Sequence, residues 1–207
     1  MLQRILLFRM IKVVLAVVLA VLIAVVGYLA YVLISYNRTP DNQSLTVTQG
    51  VKNHTVQKGR TYKAVIQNIG FGAYSSDFTF FMDGGTESRA KSADSVKKLV
   101  NAAADKAVEQ SPNFVLFQEV DTDSTRSHHI NQSELLKYRF MGYSSTFAEN
   151  YHSAYLMYPL TSPHGASNSG ILTFSSFNIT SAKRRSLPIS ESLSKFLDLD
   201  RCYSVSR

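Results

Sequence analysis

The longest hydrophobic stretch of the chain lies near its N-terminus. From Val13 to Ile34 no residue is charged, and almost every side chain is that of Val, Leu, Ile or Ala. A helix over this run would be roughly 33 Å long, which is enough to cross the hydrocarbon core of a bilayer. Tyr28, Tyr31 and Tyr36 lie towards its far end, where interfacial aromatic residues are expected.

A signal peptide and a buried soluble helix both fit this apolar run less well than a membrane span. A cleaved signal peptide has a shorter apolar core, typically about 7–15 residues. A soluble helix that is apolar on all sides would need a large protein around it. We therefore predict a transmembrane helix at residues 13–35, preceded by an N-terminal segment at residues 1–12.

The next segment, residues 36–60, is polar and is predicted to be a tether that leads into a first strand. Its motif RTPDNQS contains turn residues and has no apolar period. The turn at Lys58-Gly59 is expected to join two strands, the second at about Tyr62–Gln67. That strand ends at NIGFG, where Gly70 and Gly72 allow the backbone to turn sharply.

A helical period follows, and after it a strand. The apolar residues Val96, Leu99, Val100, Ala103, Ala107 and Val108 fall on one face of an amphipathic helix, with Ser92 as a candidate N-cap. After Pro112, the unbroken apolar core of NFVLFQEVD predicts a strand that is covered on both faces. A strand, a helix and a strand in this order predict a parallel pair and an α/β layered fold.

The rest of the chain alternates short predicted elements. QSELLKYRF is expected to be a short helix, and YSSTFAENYHSAYLMYP is expected to contain a strand. The segment PHGASNS is interpreted as a loop, and GILTFSSFNITSAKRRSLP as a strand, a turn and a second strand. The final RCYSVSR is strand-like.

Charges next to the apolar run predict its orientation. Arg4, Arg9 and Lys12 precede it, whereas only Arg38 lies close behind it and is partly offset by Asp41. The positive-inside rule therefore places the N-terminus in the cytoplasm and the main domain outside the cell membrane. The single cysteine, Cys202, allows no internal disulfide that would test this placement.

The remaining charge is only mildly basic. Without the three N-terminal cations, 19 basic residues face 15 acidic residues, a net charge of +4. This excess favours an anionic partner or the lipid surface, but it is too small to indicate nucleic acid.

Polar side chains follow both strands of the predicted parallel pair. Asn68 comes after TYKAVIQ, and Gln118 and Glu119 come after FVLF. In open α/β sheets ligands bind beyond the carboxyl ends of the strands. Carboxylate and amide oxygens suit Mg²⁺ (or Mn²⁺), so Asn68 and Glu119 are candidate metal ligands. In the alternative interpretation, Glu119 is a solvated strand end and Asn68 a turn former.

These motifs resemble the endonuclease/exonuclease/phosphatase superfamily of DNase-I-like hydrolases. VIQNIGFG matches that family's strand ending in Asn, NFVLFQEVD matches its strand ending in Gln-Glu, and SGILTFSSFNI is similar to its later strand pair. The segments FMDGG, QEVD, NYHS and RRSLP are similar to a membrane-anchored branch from Gram-positive bacteria. The resemblance implies that residues 61–207 form the N-terminal part of a DNase-I-like α/β sandwich.

The family's later motifs have no counterpart in these 207 residues. An Asp-x-Asn, a Gly-Asp-x-Asn and a terminal Asp-His, which supply the general base and groups around the phosphate, are missing. The resemblance therefore implies a domain that lacks its C-terminal half and is inactive alone. That half is an expected partner, as are the lipid bilayer and a phosphorylated substrate, either nucleic acid or a phospholipid headgroup.

In the complete enzyme that the resemblance implies, Mg²⁺ on Glu119 would assist the attack of water on a phosphoester, and Asn68 would orient groups beside the metal. The candidates for phosphate contacts are Arg126, His129, Asn150 and His152. Each also has a structural interpretation: Arg126 as the partner of Asp121 or Asp123, and the histidines as hydrogen-bonding loop residues. The rival to an enzyme is a non-catalytic surface module that binds an anionic ligand.

Overall fold

A computed structural model describes residues 2–51, 54–196 and 198–207, and it divides the chain into two compact units, Met1–Tyr36 and Asn37–Arg207. The helices are α1 (Leu2–Ser35), α2 (Ala93–Glu109) and α3 (Gln132–Arg139). The strands are β1 (Gln43–Ser44), β2 (Val47–Thr48), β3 (Ala64–Asn68), β4 (Phe114–Asp121), β5 (Ser144–Leu156), β6 (Gly165–Ser175), β7 (Ala182–Ser186) and β8 (Cys202–Ser206). Single 3-10 turns lie at Gly70–Gly72, Phe81–Asp83, Thr125–Ser127 and Leu193–Phe196.

The first unit is the helix α1, and it is longer than the predicted span. It begins at Leu2 and so includes Arg4, Arg9 and Lys12, which the sequence pattern places before the span. Among the described residues it is the one helix that is long and apolar enough to cross a membrane. A helix that is able to span a membrane is confirmed by its length and composition, while its insertion in a membrane and its orientation stay predictions.

The second unit is a mixed α/β fold with two sheets. Five strands form the larger sheet in the order β2-β5-β6-β4-β3, and the smaller sheet has the order β1-β7-β8. Only β3 and β4 are parallel among the pairs of named strands in the described residues. The predicted α/β class is confirmed at this level.

The helix α2 connects the two parallel strands as predicted. Ser92 caps its N-terminus, because the Ser92 hydroxyl accepts a hydrogen bond from the amide of Ser95 at 3.1 Å. Its buried residues Val96 and Val100 belong to the same core as Val115 and Phe117 of β4. The core of the unit therefore lies between the larger sheet and the helices α2 and α3, whose Leu136 is also buried in it.

The other face of β4 is less covered than the sequence predicts. Val115 and Phe117 are fully buried, but Leu116, on the opposite face, is only half-buried. Its neighbour in the parallel register, Ile66, is 69% exposed. The continuous apolar run predicted that both faces of β4 are covered, whereas only the face of Val115 and Phe117 is covered completely.

The polar segment predicted as a tether is part of the folded unit. β1 pairs with β7, and β2 pairs with β5. The side chain of Arg184 is fully buried and donates to the carbonyl oxygens of Thr39 at 3.2 Å and Glu149 at 2.8 Å. Residues 39–48 are ordered by partners more than 90 positions away, which a local pattern does not reveal.

Two further differences concern strands. The described residues 54–57 form no strand before the Lys58-Gly59 turn, so β3 is the first strand of that region to join the sheet. The segment PHGASNS, predicted as a loop, continues into β6 from Gly165 onwards. Pairing with β5 on one side of it overrides the weak strand propensity of Ser, Asn and Gly.

Candidate functional site

The ends of β3 and β4 bring two predicted residues into contact. Asn68 is in register with Gln118, so the next residue of β4, Glu119, lies just beyond the end of β3. The Asn68 side-chain nitrogen donates to the Glu119 carboxylate oxygen Oε1 at 2.7 Å. The structure thus places the amide and the acid at one edge of the sheet, 51 positions apart in sequence.

A bulge in β4 places Glu119 at this edge. The register between β4 and β6 shifts between Phe117 and Val120, and Glu119 has a φ of 54°. A β-bulge re-aims a side chain, and a left-handed backbone costs a non-glycine residue about 1–2 kcal/mol. Phe117 and Val120 can therefore both be buried while the carboxylate between them points away from the core.

The orientation of the Asn68 amide follows from a backbone donor. The Gly70 amide donates to the Asn68 oxygen Oδ1 at 2.8 Å, and because an N–H can only donate, that oxygen must face Gly70. The amide nitrogen therefore faces Glu119. In this arrangement Asn68 holds the carboxylate in place, and its predicted role as a direct metal ligand stays a prediction.

The donor set can be compared with what a divalent ion needs. Within residues 2–51, 54–196 and 198–207 no group of three or more His, Cys, Asp and Glu side chains is arranged to hold a metal. The described residues therefore form no zinc site of three or four protein ligands. Mg²⁺ commonly takes only one or two carboxylates beside water and phosphate oxygens, so a magnesium ion on Glu119 stays a prediction.

A cleft of about 640 Å³ adjoins the Asn68–Glu119 pair, and we call it the Glu119 cleft. Its volume is that of a small-molecule site. Its lining is a mixture of aromatic, acidic and amide side chains with a single arginine, and it includes Asn68, Phe71, Tyr74, Phe80, Met82, Asp83, Gln118, Glu119, Arg126, Asn150, Tyr151, His164, Ser169, Asp198 and Leu199. A second cleft of about 540 Å³ shares Asn68, Tyr74 and Glu119 and extends along α2 past Leu99 and Lys106.

Arg126 forms part of the floor of the Glu119 cleft. It is 6% exposed and holds the buried carboxylate of Asp121 through two bonds, of 3.0 and 2.7 Å. Its guanidinium carbon lies 4.2 Å from the ring centre of Phe71 and 5.3 Å from that of Tyr151. Burial opposes its charge, but Asp121 beside it more than compensates and raises the pKa of Arg126. The predicted pairing with Asp121 is confirmed, and the residue also lines the cleft.

His164 lines the same cleft, although no sequence pattern predicts it as a site residue. It is almost fully buried, and its Nδ1 must donate to the Ser88 carbonyl oxygen 2.9 Å away, because a carbonyl only accepts. Burial, and then the charge of Arg126, lower the pKa of His164 to about 4. The imidazole is therefore neutral at pH 7. Its only sequence signal is a histidine in PHGASNS, a segment whose pattern predicts a loop.

The other predicted contacts divide between the cleft and the surface. Asn150 lines the Glu119 cleft at a bulge of β5. His129 is exposed and contacts the exposed carboxylate of Asp123 at 2.5 Å. His152 is an exposed residue of β5, and neither histidine is among the described residues that line the cleft. Phosphate binding by these residues stays a prediction.

Comparisons with known proteins leave the family undecided. The chain matches no protein-family model, no curated protein and no solved structure. Any functional conclusion therefore depends on the geometry of the site itself.

Proposed function

We propose that the chain supplies the ion and ligand site of a membrane-anchored, Mg²⁺-dependent (or Mn²⁺-dependent) phosphoester hydrolase of the endonuclease/exonuclease/phosphatase type. The observation that carries the proposal is the 2.7 Å contact between Asn68 and Glu119 at the carboxyl ends of two parallel strands. A residue held at positive φ at a bulge is a further support, because backbone strain concentrates at functional sites.

In this proposal Glu119 holds the ion and Asn68 orients the carboxylate. The bound ion would polarise a phosphoryl oxygen and stabilise the charge on the leaving oxygen. The Glu119 cleft receives the rest of the substrate, next to the carboxylate. In the enzyme type that the resemblance implies, the general base would come from the family's later motifs, which residues 1–207 do not contain.

The proposal also includes a location. Helix α1 anchors the chain in the cell membrane as a single span, with the N-terminus in the cytoplasm and residues 37–207 outside. Its length and composition support the anchor, and the cations Arg4, Arg9 and Lys12 near its N-terminus support the orientation.

The test is ion binding by the full chain in an uncharged maltoside detergent. Free Mn²⁺ is measured by its paramagnetic resonance signal, and Mg²⁺ is added as a competitor. We expect one site that Glu119→Gln weakens tenfold or more, since it removes the charged ligand, and that Asn68→Ala weakens about tenfold by loosening that ligand.

Glu134→Gln is the matched control, because Glu134 is an exposed carboxylate of α3 that pairs with Lys137. It should leave ion binding unchanged. Binding that Glu119→Gln does not alter would show that the proposed metal site is wrong.

The rival proposal, a module for an anionic ligand without a metal, has less support. Arg126 is the only cation among the described residues that line the Glu119 cleft, and Asp121 already neutralises it. A free anion entering the cleft would instead meet the carboxylates of Asp83, Glu119 and Asp198.

A further inference from the structure

The Glu119 cleft has more negative charge than a single metal ion at Glu119 would balance. Asp83 and Asp198 also line it, and among the described ion pairs neither is joined to a lysine or an arginine. A divalent ion on Glu119 together with a phosphodiester, which carries one negative charge, is close to neutral, and a phosphomonoester adds further negative charge. Two carboxylates then remain without a cation, so the cleft favours a ligand that brings a positive charge of its own.

The wall around Asp83 is aromatic and partly exposed. The Tyr74 hydroxyl lies 3.5 Å from the Asp83 carboxylate and donates to it, and the ring of Tyr74 is about half exposed. Phe80 and Met82 line the same wall. Burial of Tyr74, followed by the negative charges of Asp83 and Glu119, raises its pKa to about 12. Aromatic faces beside carboxylates attract ammonium groups, quaternary ones included.

A buried hydroxyl on the floor of the cleft has no partner among the described residues. Ser169 is 2% exposed, and its Oγ makes no hydrogen bond there. It lies directly opposite Tyr151 on the neighbouring strand and lines the Glu119 cleft. A buried hydroxyl without a partner costs about 1–3 kcal/mol. An acceptor oxygen of a ligand in the cleft would satisfy it.

We propose that the Glu119 cleft binds a phosphoester that bears an ammonium group. The ammonium lies against Tyr74 and Asp83, and the phosphate lies between Glu119 and Ser169. This inference rests on the proposed function, because the phosphate end requires the ion at Glu119. The same chemistry occurs in a free phosphocholine and in a choline-containing lipid headgroup.

The experiment compares two small probes on the full chain in maltoside detergent with Mg²⁺. Phosphocholine and glycerol 3-phosphate both carry a phosphate monoester, but only the first carries an ammonium. We expect phosphocholine to bind about tenfold more tightly by titration calorimetry. Its N-methyl protons should also show saturation transfer from the protein in nuclear magnetic resonance.

Asp83→Asn tests the ammonium end directly. It should weaken phosphocholine about tenfold and leave the affinity for glycerol 3-phosphate equal or slightly higher, because only the first ligand loses a charge partner and the second loses a repelling carboxylate. Asp123→Asn is the control, since Asp123 is an exposed carboxylate that contacts His129 and does not line the cleft. Equal affinity of the two probes, or an Asp83→Asn variant that still discriminates between them, overturns the inference.

Two further arms separate this inference from the proposed function. If both probes need Mg²⁺ and Glu119 but bind equally, only the inference fails. If both probes bind without Mg²⁺ and Glu119→Gln does not change their affinity, the proposed function fails. If phosphocholine is still preferred under those conditions, the result supports the ammonium end alone. Competition by nanodiscs of phosphatidylcholine, but not of phosphatidylglycerol, would identify the ligand as a lipid headgroup; without such competition it is a soluble phosphoester.

Discussion

Two buried arginines in the second unit do different work. Arg184 is completely buried, and its guanidinium donates to four carbonyl oxygens, to the Ser186 hydroxyl and to the Asp200 carboxylate. We call this arrangement of Arg184 with Thr39, Glu149 and Asp200 the clasp. Arg126 is nearly as buried, but its described side-chain hydrogen bonds all go to the carboxylate of Asp121, and aromatic rings cover it beside an open cleft.

The difference shows how surroundings decide the role of a buried charge. In the clasp, one guanidinium joins the segment after α1, the strand β5 and the loop before β8, so its function is structural. In the cleft, Arg126 pairs with Asp121 in the floor of a space that can receive a ligand. Burial and residue type alone would have put both in one class.

The largest effect is expected from a variant that disrupts the clasp. Arg184→Met removes the arginine donor from four carbonyl oxygens and from the Asp200 carboxylate, which in the described structure keeps only the Thr39 amide and Arg38 as donors. We expect it to lower the free energy of unfolding by about 4–5 kcal/mol. Denaturant titration of the full chain measures this.

Arg185→Met is the control, because Arg185 is half-exposed and pairs with Asp41 at the surface; it should cost less than about 1 kcal/mol. Equal losses would show that the clasp is unimportant.

The second largest effect is expected from a variant that disrupts the floor of the cleft. Arg126→Met leaves the fully buried Asp121 carboxylate without its cation. We expect this to lower the free energy of unfolding by about 3–4 kcal/mol in the same titration. The double variant Asp121→Asn/Arg126→Met removes both charges and should recover much of that loss. If the double variant is no more stable than the single one, the cost does not come from the unpaired carboxylate.

The smallest expected effect is a pH dependence of the free energy of unfolding that comes from the cleft and not from the clasp. The pKa of His164, lowered to about 4, is below its ordinary value of 6.5, so the unfolded chain binds more protons between these values. The His164 contribution is complete above pH 6.5 and is lost as pH falls towards 4, by about 2–3 kcal/mol.

The measurement is the free energy of unfolding of the wild type and of His164→Asn across that range. The variant should lose less stability than the wild type as pH falls from 6.5 to 4. His129→Asn, at an exposed histidine, is the control and should follow the wild type. Parallel curves for all three proteins would place the pH sensitivity outside the cleft.

Much of the fold was predictable because its signals are local. The period of residues 93–109 and its serine cap identified α2, and the apolar run before Gln118 identified β4. The order of strand, helix and strand then predicted the parallel pair, and that pair carried Asn68 and Glu119 to one edge. Weak local patterns mislead in two segments: residues 39–48 have the pattern of a tether and PHGASNS that of a loop, yet both contribute to strands.

The sequence by itself determined the apolar helix, the α/β character of the second unit and the candidate pair Asn68 and Glu119, because periodicity and strand order depend on neighbours in the chain. Only the tertiary structure decided the bulge that aims Glu119, the partners of Arg126 and Arg184, and the neutral state of His164. These depend on groups that are distant in sequence, and on the exclusion of water around them, which no local pattern contains.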